Sequence, residues 1–363
     1  MNLKFLIFAD QLVKPIYILA SLLPKRKILQ EENHNFFILK FFGFGSITRV
    51  SHVIDNIGIP KNKITFITLY NNKALIDLLN LKAIYVYTNT PLALFVSLLK
   101  VISYVWKTKK YSLLDMERTS NLSGILRLIL SFRKPCSSFY YGKNNKAKNG
   151  QYFVSLKNKS TLKAIAEMFH KQYNQAEKHF LKTNTNKIFI NINAGDYLPE
   201  RKFPIDKYVS LIEELHSENP NWVFYLTGTN SERNYVTLFE KRLIEHKIPK
   251  EILFNIAGKY DLSQFITRLK EAKVLITNDS GPLHLAHFFN IKTVGIWGPT
   301  SSKLIGYQNS KQMLNLDLNI DCSPCFIHPK SKIAKQCNGK LTCFSLFIPK
   351  KMALEITKFV HNP

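Results

Sequence analysis

The stretch from Val274 to Thr300 narrows the choice of fold more than any other part of the chain. Val274 to Ile276 is a short apolar run of the kind that forms a parallel strand covered on both faces. A polar turn follows, Thr277 to Gly281, and Pro282 then suits the first turn of a helix, where its missing N–H costs nothing. A second apolar run, Thr293 to Trp297, closes on Gly298-Pro299. The order is strand, turn, helix, strand, with polar groups gathered at the carboxyl end of a strand. Open α/β sheets bind ligands at that end, and a helix N-terminus there offers unpaired N–H groups to an anion. Asp279-Ser280 also has a plainer reading as an N-cap, and His284 as a core histidine.

The rest of the chain repeats the alternation. Phe36 to Phe42 reads as a buried strand ending in Gly43-Phe-Gly-Ser46, with a helix from about Ile47 to Asn56. Strands at Lys63 to Tyr70, Ala83 to Tyr87 and Tyr111 to Glu117 alternate with helices at Asn72 to Asn80, Pro91 to Trp106 and Asn121 to Phe132. Lys143 to Asn149 reads as a loop and Ser160 to Phe180 as a long helix. After the polar Thr183-Asn-Thr-Asn186 the pattern restarts, with strands at Lys187 to Ile192, Trp222 to Thr227 and Ile252 to Ile256. Helices at Ile205 to Ser217, Glu232 to Glu245, Leu262 to Ala272 and Pro349 to Val360 complete it. Such alternation argues parallel sheets with helices on both faces. The expected domains are residues 1–182, including an apolar extension over 1–30, then 183–348, then a terminal helix over 349–363.

Net charge is +26, from 51 Lys+Arg against 25 Asp+Glu. That excess favours nucleic acid, acidic lipid or a phosphorylated sugar as partner; no recognisable nucleic-acid module supports the first. No stretch reaches the roughly 18 uninterrupted apolar residues of a spanning helix. The Met1 to Leu23 segment carries its basic cluster, Pro24-Lys-Arg-Lys27, after the apolar part, the reverse of a signal peptide. It reads as the N-terminal helix of a cytoplasmic protein, either lying on a membrane surface or packed on its own domain. Leu92 to Trp106 presents the same choice between a core helix, the commoner outcome, and one facing lipid with Lys100, Lys107, Lys109 and Lys110 towards headgroups. The five cysteines are too few and too clustered for a secreted disulfide framework. Cys322-Ser-Pro-Cys325 with Cys337 and Cys343 has a spacing that can staple a loop around a structural zinc, though packed thiols or a disulfide pair also fit.

Asn278-Asp-Ser-Gly-Pro-Leu-His284 with Trp297-Gly-Pro-Thr300 resembles the nucleotide-sugar signature of glycosyltransferase family 9, the heptosyltransferase family. Asn191-Ile-Asn-Ala-Gly195, Glu200-Arg-Lys-Phe-Pro204, Leu226-Thr-Gly-Thr-Asn-Ser-Glu232 and Ala257-Gly258 resemble its other turns in the same order, and the late cysteines match a family feature. The resemblance implies an α/β GT-B architecture, two Rossmann-like domains facing an interdomain cleft, whose last helix usually returns to the first domain. It implies that Asn193, Ala194, Gly195, Gly228, Glu232, Gly258, Asp279, Ser280, Gly281 and His284 surround a nucleotide sugar. Lys202 takes the place of the cation beside the diphosphate, with Arg201 as fallback. A fixed cation there stabilises the departing nucleoside diphosphate more in the transition state than in the ground state. No metal or other cofactor is required.

In the first domain the resemblance reaches the turn of Gly45 and Ser46 on the acceptor side, where many members carry Gly-Asp with the aspartate as general base. Serine cannot act as a base unaided. Asp115 and Glu117, at the end of a strand, are the replacements considered, with Glu117 preferred as it stands nearest the turn; a structural ion pair with Arg118 or Arg127 is the alternative. The resulting expectation is an inverting, metal-independent transferase moving a sugar, heptose from ADP-heptose first, onto a lipopolysaccharide core or related anionic glycolipid. It would work in the cytoplasm or on the cytoplasmic face of the inner membrane. Another nucleotide sugar, or a non-catalytic nucleotide-sugar-binding protein, are the alternatives.

Overall fold

Two segments rich in Ile, Phe and Leu, Asn35–Leu39 (β1) and Ile64–Leu69 (β2), lie side by side and in parallel, with β2 buried at every position. The structure, a computed structural model, describes residues 35–117, 121–131, 135–140, 146–148, 151–156, 159–175, 180–181, 183–195, 198–318, 320–325 and 342–361. The expected N-terminal extension, Arg118 and Cys337 lie outside the described residues. The chain divides into two units, Met1–Asn174 and Gln175–Pro363, a boundary earlier than the expected 182/183.

In the first unit β1 and β2 join Lys82–Val86 (β3), Tyr111–Asp115 (β4), Cys136–Tyr140 (β5), Lys146–Lys148 (β6) and Gln151–Ser155 (β7), in the order β3-β2-β1-β4-β5-β7-β6. Pairing is parallel except for β6, which runs antiparallel to β7. The helices are Phe44–Ile57 (α1), Lys73–Leu78 (α2), Pro91–Lys107 (α3), Asn121–Leu130 (α4) and Thr161–Met168 (α5). The Lys/Asn-rich segment expected as a loop thus supplies a short strand. The helix expected over 160–180 stops at Met168 because its continuation is drawn into tertiary contacts. His170 turns left-handed (φ 56°), the Phe169 ring packs edge-on against Phe36 at 5.1 Å, and Tyr173 Oη meets His52 Nε2 at 3.0 Å.

The second unit carries Lys187–Asn191 (β8), Val223–Leu226 (β9), Leu253–Asn255 (β10), Val274–Asn278 (β11), Thr293–Ile296 (β12) and Met313–Leu316 (β13). All six strands are parallel, in the order β10-β9-β8-β11-β12-β13. That is the doubly wound order in which the two halves diverge from a central pair. The helices are Ile205–Glu218 (α6), Arg233–Glu245 (α7), Leu262–Leu269 (α8), Gly281–Phe288 (α9), Ser302–Ile305 (α10), Thr342–Ser345 (α11) and Pro349–His361 (α12). Tyr208, Trp222, Phe224, Phe239, Ile276 and Phe344 anchor one continuous apolar core. The expectation sent the final helix back to the first domain. Its buried residues Met352, Ala353, Ile356 and Val360 join the second unit's core, where α12 lies along α6.

Candidate functional site

Strand order in the second sheet changes direction between β8 and β11, so the turns leaving these two strands open onto the switch point where α/β sheets bind ligands. Two asparagines fasten the turns together. Asn191 Nδ2 donates to Thr277 Oγ1 (2.9 Å), Ser280 Oγ (3.0 Å) and the Asn193 carbonyl (3.1 Å). Asn278 Nδ2 donates to the Ile192 carbonyl (2.9 Å), while its Oδ1 accepts from Tyr208 Oη (3.0 Å) and the Phe203 N–H (3.2 Å). Buried amides held this firmly fix a turn to a fraction of an ångström, because each broken bond would strand a polar group away from water.

Ser280 sits at the N-cap position of α9 with extended backbone (φ −151°, ψ 173°), yet its side chain makes no capping bond. Its hydroxyl is turned inward to Asn191 and Thr277, which leaves the first N–H groups of α9 without a side-chain cap. The N-cap alternative therefore fails at the side chain. An uncapped helix start at a switch point combines free donors with the positive end of the helix dipole.

Arg201 reaches this turn. Its Nη2 donates to the Ala194 carbonyl at 2.6 Å and its Nη1 stands 3.4 Å from Asp279 Oδ2. Asp279 is 2% exposed, and its other oxygen lies 3.7 Å from His284 Nε2. The far nitrogen of His284 meets Tyr307 Oη at 3.3 Å, and His287 stacks on the same Tyr307 ring. Asp279 is thus an orienting carboxylate between an arginine and a histidine. The ammonium of Lys202, the residue expected as the cation, lies 5.0 Å from the Tyr235 ring of α7. Arg201 ends the 3-10 turn Pro199–Arg201, and Lys202 is its C-terminal cap with extended backbone (φ −71°, ψ 116°).

The remaining predicted residues line the adjacent strand ends. Gly195 holds a left-handed φ of 70° in the turn after β8. Asn193 Nδ2 donates to the Thr227 carbonyl (3.1 Å), while its buried Oδ1 has no hydrogen-bond partner among the described residues. The Gly258 N–H donates to the Gly228 carbonyl (2.9 Å), joining the turns after β9 and β10. Gly258 has φ 71° and a Cβ there would meet Asn230 Cα at 2.9 Å; a Cβ on Gly228 would press on Val236 and the Asn193 amide. Glu232 takes the helix-end role of its two candidate roles, its Oε2 accepting from the Thr229 N–H (2.8 Å) and hydroxyl (2.9 Å) in a capping box.

In the first unit the switch point lies between β1 and β4. Glu117, the preferred base, is committed to three donors at one oxygen: the Lys40 ammonium (2.9 Å) and the N–H groups of Phe41 (2.6 Å) and Phe42 (2.9 Å). It works as a latch for the turn rather than as an accessible base, and its cation is Lys40. Asp115 is buried 3.7 Å from Arg127; burial pushes its carboxyl up to about 6 against the pull of the arginine. Gly45 and Ser46 lie in the first turn of α1, where Ser46 Oγ accepts from Arg49 Nη2 at 3.1 Å. Lys40 and Arg49, both nearly buried, carried no local sequence signal. Cys325 and Cys343 are buried and Cys322 is exposed; among the described residues no cluster of metal ligands forms.

Two doubly wound sheets, parallel except for β6, the second with an uncapped helix start at its switch point, are the elements of an α/β fold of GT-B class. The sequence profile of glycosyltransferase family 9 (heptosyltransferase) matches residues 91–335. Lipooligosaccharide heptosyltransferase 2 of Campylobacter jejuni is 24% identical over 237 residues, covering 64% of this chain and 71% of that one. Two solved structures share the fold. The Escherichia coli ADP-heptose lps heptosyltransferase II has a TM-score of 0.62 at 12% identity, covering 90% of this chain and 98% of that one. A family 9 glycosyl transferase from Veillonella parvula reaches 0.67 at 14% identity, covering 92% and 99%. The chain belongs to glycosyltransferase family 9 and is a glycosyltransferase of the heptose-transferring kind.

Proposed function

We propose that this enzyme moves heptose from ADP-heptose, with inversion, onto the core of a lipopolysaccharide or lipooligosaccharide. The donor and acceptor are those named for the E. coli structure and the Campylobacter enzyme. The observation that carries the residue assignment is the uncapped start of α9 beneath the Arg201 guanidinium. In this reading the Ser280 and Gly281 N–H groups hold the diphosphate, and Arg201, aimed by Asp279, offsets the negative charge that grows as the sugar leaves. His284 is a buried neighbour that keeps Asp279 in place. The unpaired Asn193 oxygen accepts from the donor, while Gly228 and Gly258 let the turns pack against Val236 and Asn230, and Gly195 supplies a left-handed turn beside the site. Lys202 and Glu232 stand at the rim.

On the acceptor side, the turn at Gly45 and Ser46 is held by Glu117 and flanked by Lys40 and Arg49, a basic setting for an anionic glycolipid. The chemistry assigned to these residues calls on no metal; a structural zinc on Cys322, Cys325, Cys337 and Cys343 is tested by metal analysis of the purified protein. The proposed place of work is the cytoplasmic face of the inner membrane.

The test supplies purified enzyme with heptose-deficient core lipid and a panel of nucleotide sugars, and reads ADP release and the mass of the lipid product. Addition of one heptose from ADP-heptose is expected. Transfer from a different sugar nucleotide overturns the donor. Nucleotide binding without transfer from any donor identifies a binding protein.

A further inference from the structure

Helix α3 follows edge strand β3 and packs on it with Ser97, Val101 and Val105 buried. A helix that covers a sheet ordinarily turns polar residues outward. Here Leu92, Phe95, Val96, Leu99, Ser103 and Trp106 recur at spacings of three and four residues, forming one stripe on the side away from the sheet. All but Ser103 are large and apolar, with exposures of 71% for Leu92, 59% for Phe95, 40% for Val96, 50% for Leu99 and 59% for Trp106. The exposed rings of Tyr70 and Tyr87 stack on each other near the start of the helix, where the Tyr87 N–H donates to Ser97 Oγ.

Lys100 and Lys107 flank the stripe, Lys109 and Lys110 follow it, and all are exposed. No acidic residue interrupts Pro91 to Lys110. At 17 residues, interrupted by Lys100, the helix is too short to cross a bilayer, and among the described residues no helix is long and apolar enough to do so. A helix of this kind lies in the headgroup region with its apolar stripe among acyl chains and its lysines on lipid phosphates. Trp106 suits that level of the membrane. Charge selects the occupant: an anionic surface neutralises the lysine cluster, whereas a second copy would bring a like cluster to the contact.

We propose that the outer face of α3 docks this protein onto an anionic phospholipid surface. The inference gives physical form to the membrane-linked acceptor proposed above, but its test does not depend on sugar transfer. The full chain is floated with vesicles of phosphatidylglycerol and phosphatidylethanolamine, or of phosphatidylcholine alone, at physiological ionic strength. Compared with it are a combined Leu92→Glu, Phe95→Glu, Leu99→Glu variant and a combined Lys100→Ala, Lys107→Ala, Lys109→Ala, Lys110→Ala variant. ADP binding by calorimetry and far-UV circular dichroism check that both remain folded. The wild type should bind the anionic vesicles and leave the neutral ones, and each variant should lose at least about tenfold in partition.

Wild type that ignores anionic vesicles, or folded variants that bind them as tightly, overturns the proposal. The lysine variant is the second route should the acidic one not fold. A dimer by light scattering that dissociates in the Leu92 variant assigns the stripe to a second copy and also overturns it. Vesicle binding that persists while heptose transfer fails refutes the proposed reaction and leaves the docking face standing.

Discussion

Replacing Arg201 by alanine removes the cation that the structure aims at the turn of Asp279 and Ser280. The guanidinium reaches that turn through the Ala194 carbonyl at 2.6 Å and Asp279 at 3.4 Å, with 19% of the side chain exposed. A unit charge about 4 Å from a developing negative charge is worth roughly 4 kcal/mol at an effective dielectric constant near 20. Asp279 and entering water offset part of that, which leaves about 2–3 kcal/mol, or roughly a 30- to 160-fold fall in kcat. Single-turnover assays at saturating donor isolate the effect on chemistry, and Arg201→Lys should retain part of the rate because it keeps the charge without the planar fork. Lys202→Ala should change kcat by less than about fivefold, since a half-buried cation over a tyrosine ring contributes little. The reasoning is refuted if Arg201→Ala stays within threefold of wild type while Lys202→Ala loses the larger factor.

Glu117→Gln should cost about 2–4 kcal/mol of stability in urea, because it strips the counter-charge from the buried Lys40, while kcat falls less than about tenfold; a general base would show a loss of about 100-fold or more in kcat with stability intact. Ile356→Ala, at a fully buried position of α12, should destabilise the second unit by about 2–4 kcal/mol, read as an earlier urea midpoint for that unit. Asp115 titrates near 6 when folded against an ordinary 3.8, so the folded state binds more protons than the unfolded one between those values. Its contribution to stability should therefore fall by about 3 kcal/mol as pH rises from about 4 to 7, seen as the difference between wild type and Asp115→Asn across that range.

Most of the parallel strands were legible as short apolar runs, and Val274–Asn278 and Thr293–Ile296 fall where the pattern puts them, whereas Cys136–Tyr140, Gln151–Ser155 and Met313–Leu316 carried too little apolar pattern to be expected. The turn of Asp279 to Gly281 was also legible, since Pro282 marks the helix start from sequence alone. Hidden from the sequence were contacts that close only in three dimensions. Lys40 finds Glu117 across 77 positions and Asn191 finds Ser280 across 89, and no local spacing announces either pair. Which of Arg201 and Lys202 meets Asp279 depends on the phase of one short 3-10 turn, which propensity does not fix. Strand β6 was missed because Lys-Ala-Lys has little strand character of its own and forms only by pairing with β7. The last helix carried a clear amphipathic pattern, but periodicity does not say which core an apolar face will join.

The most direct measurement is a crystal structure with ADP bound. The account places the diphosphate oxygens within about 3 Å of the Ser280 and Gly281 N–H groups, with the Arg201 guanidinium alongside. ADP stacked elsewhere, for example on the paired rings of Tyr225 and Phe254 in strands β9 and β10, with Arg201 still turned to Asp279, would contradict it.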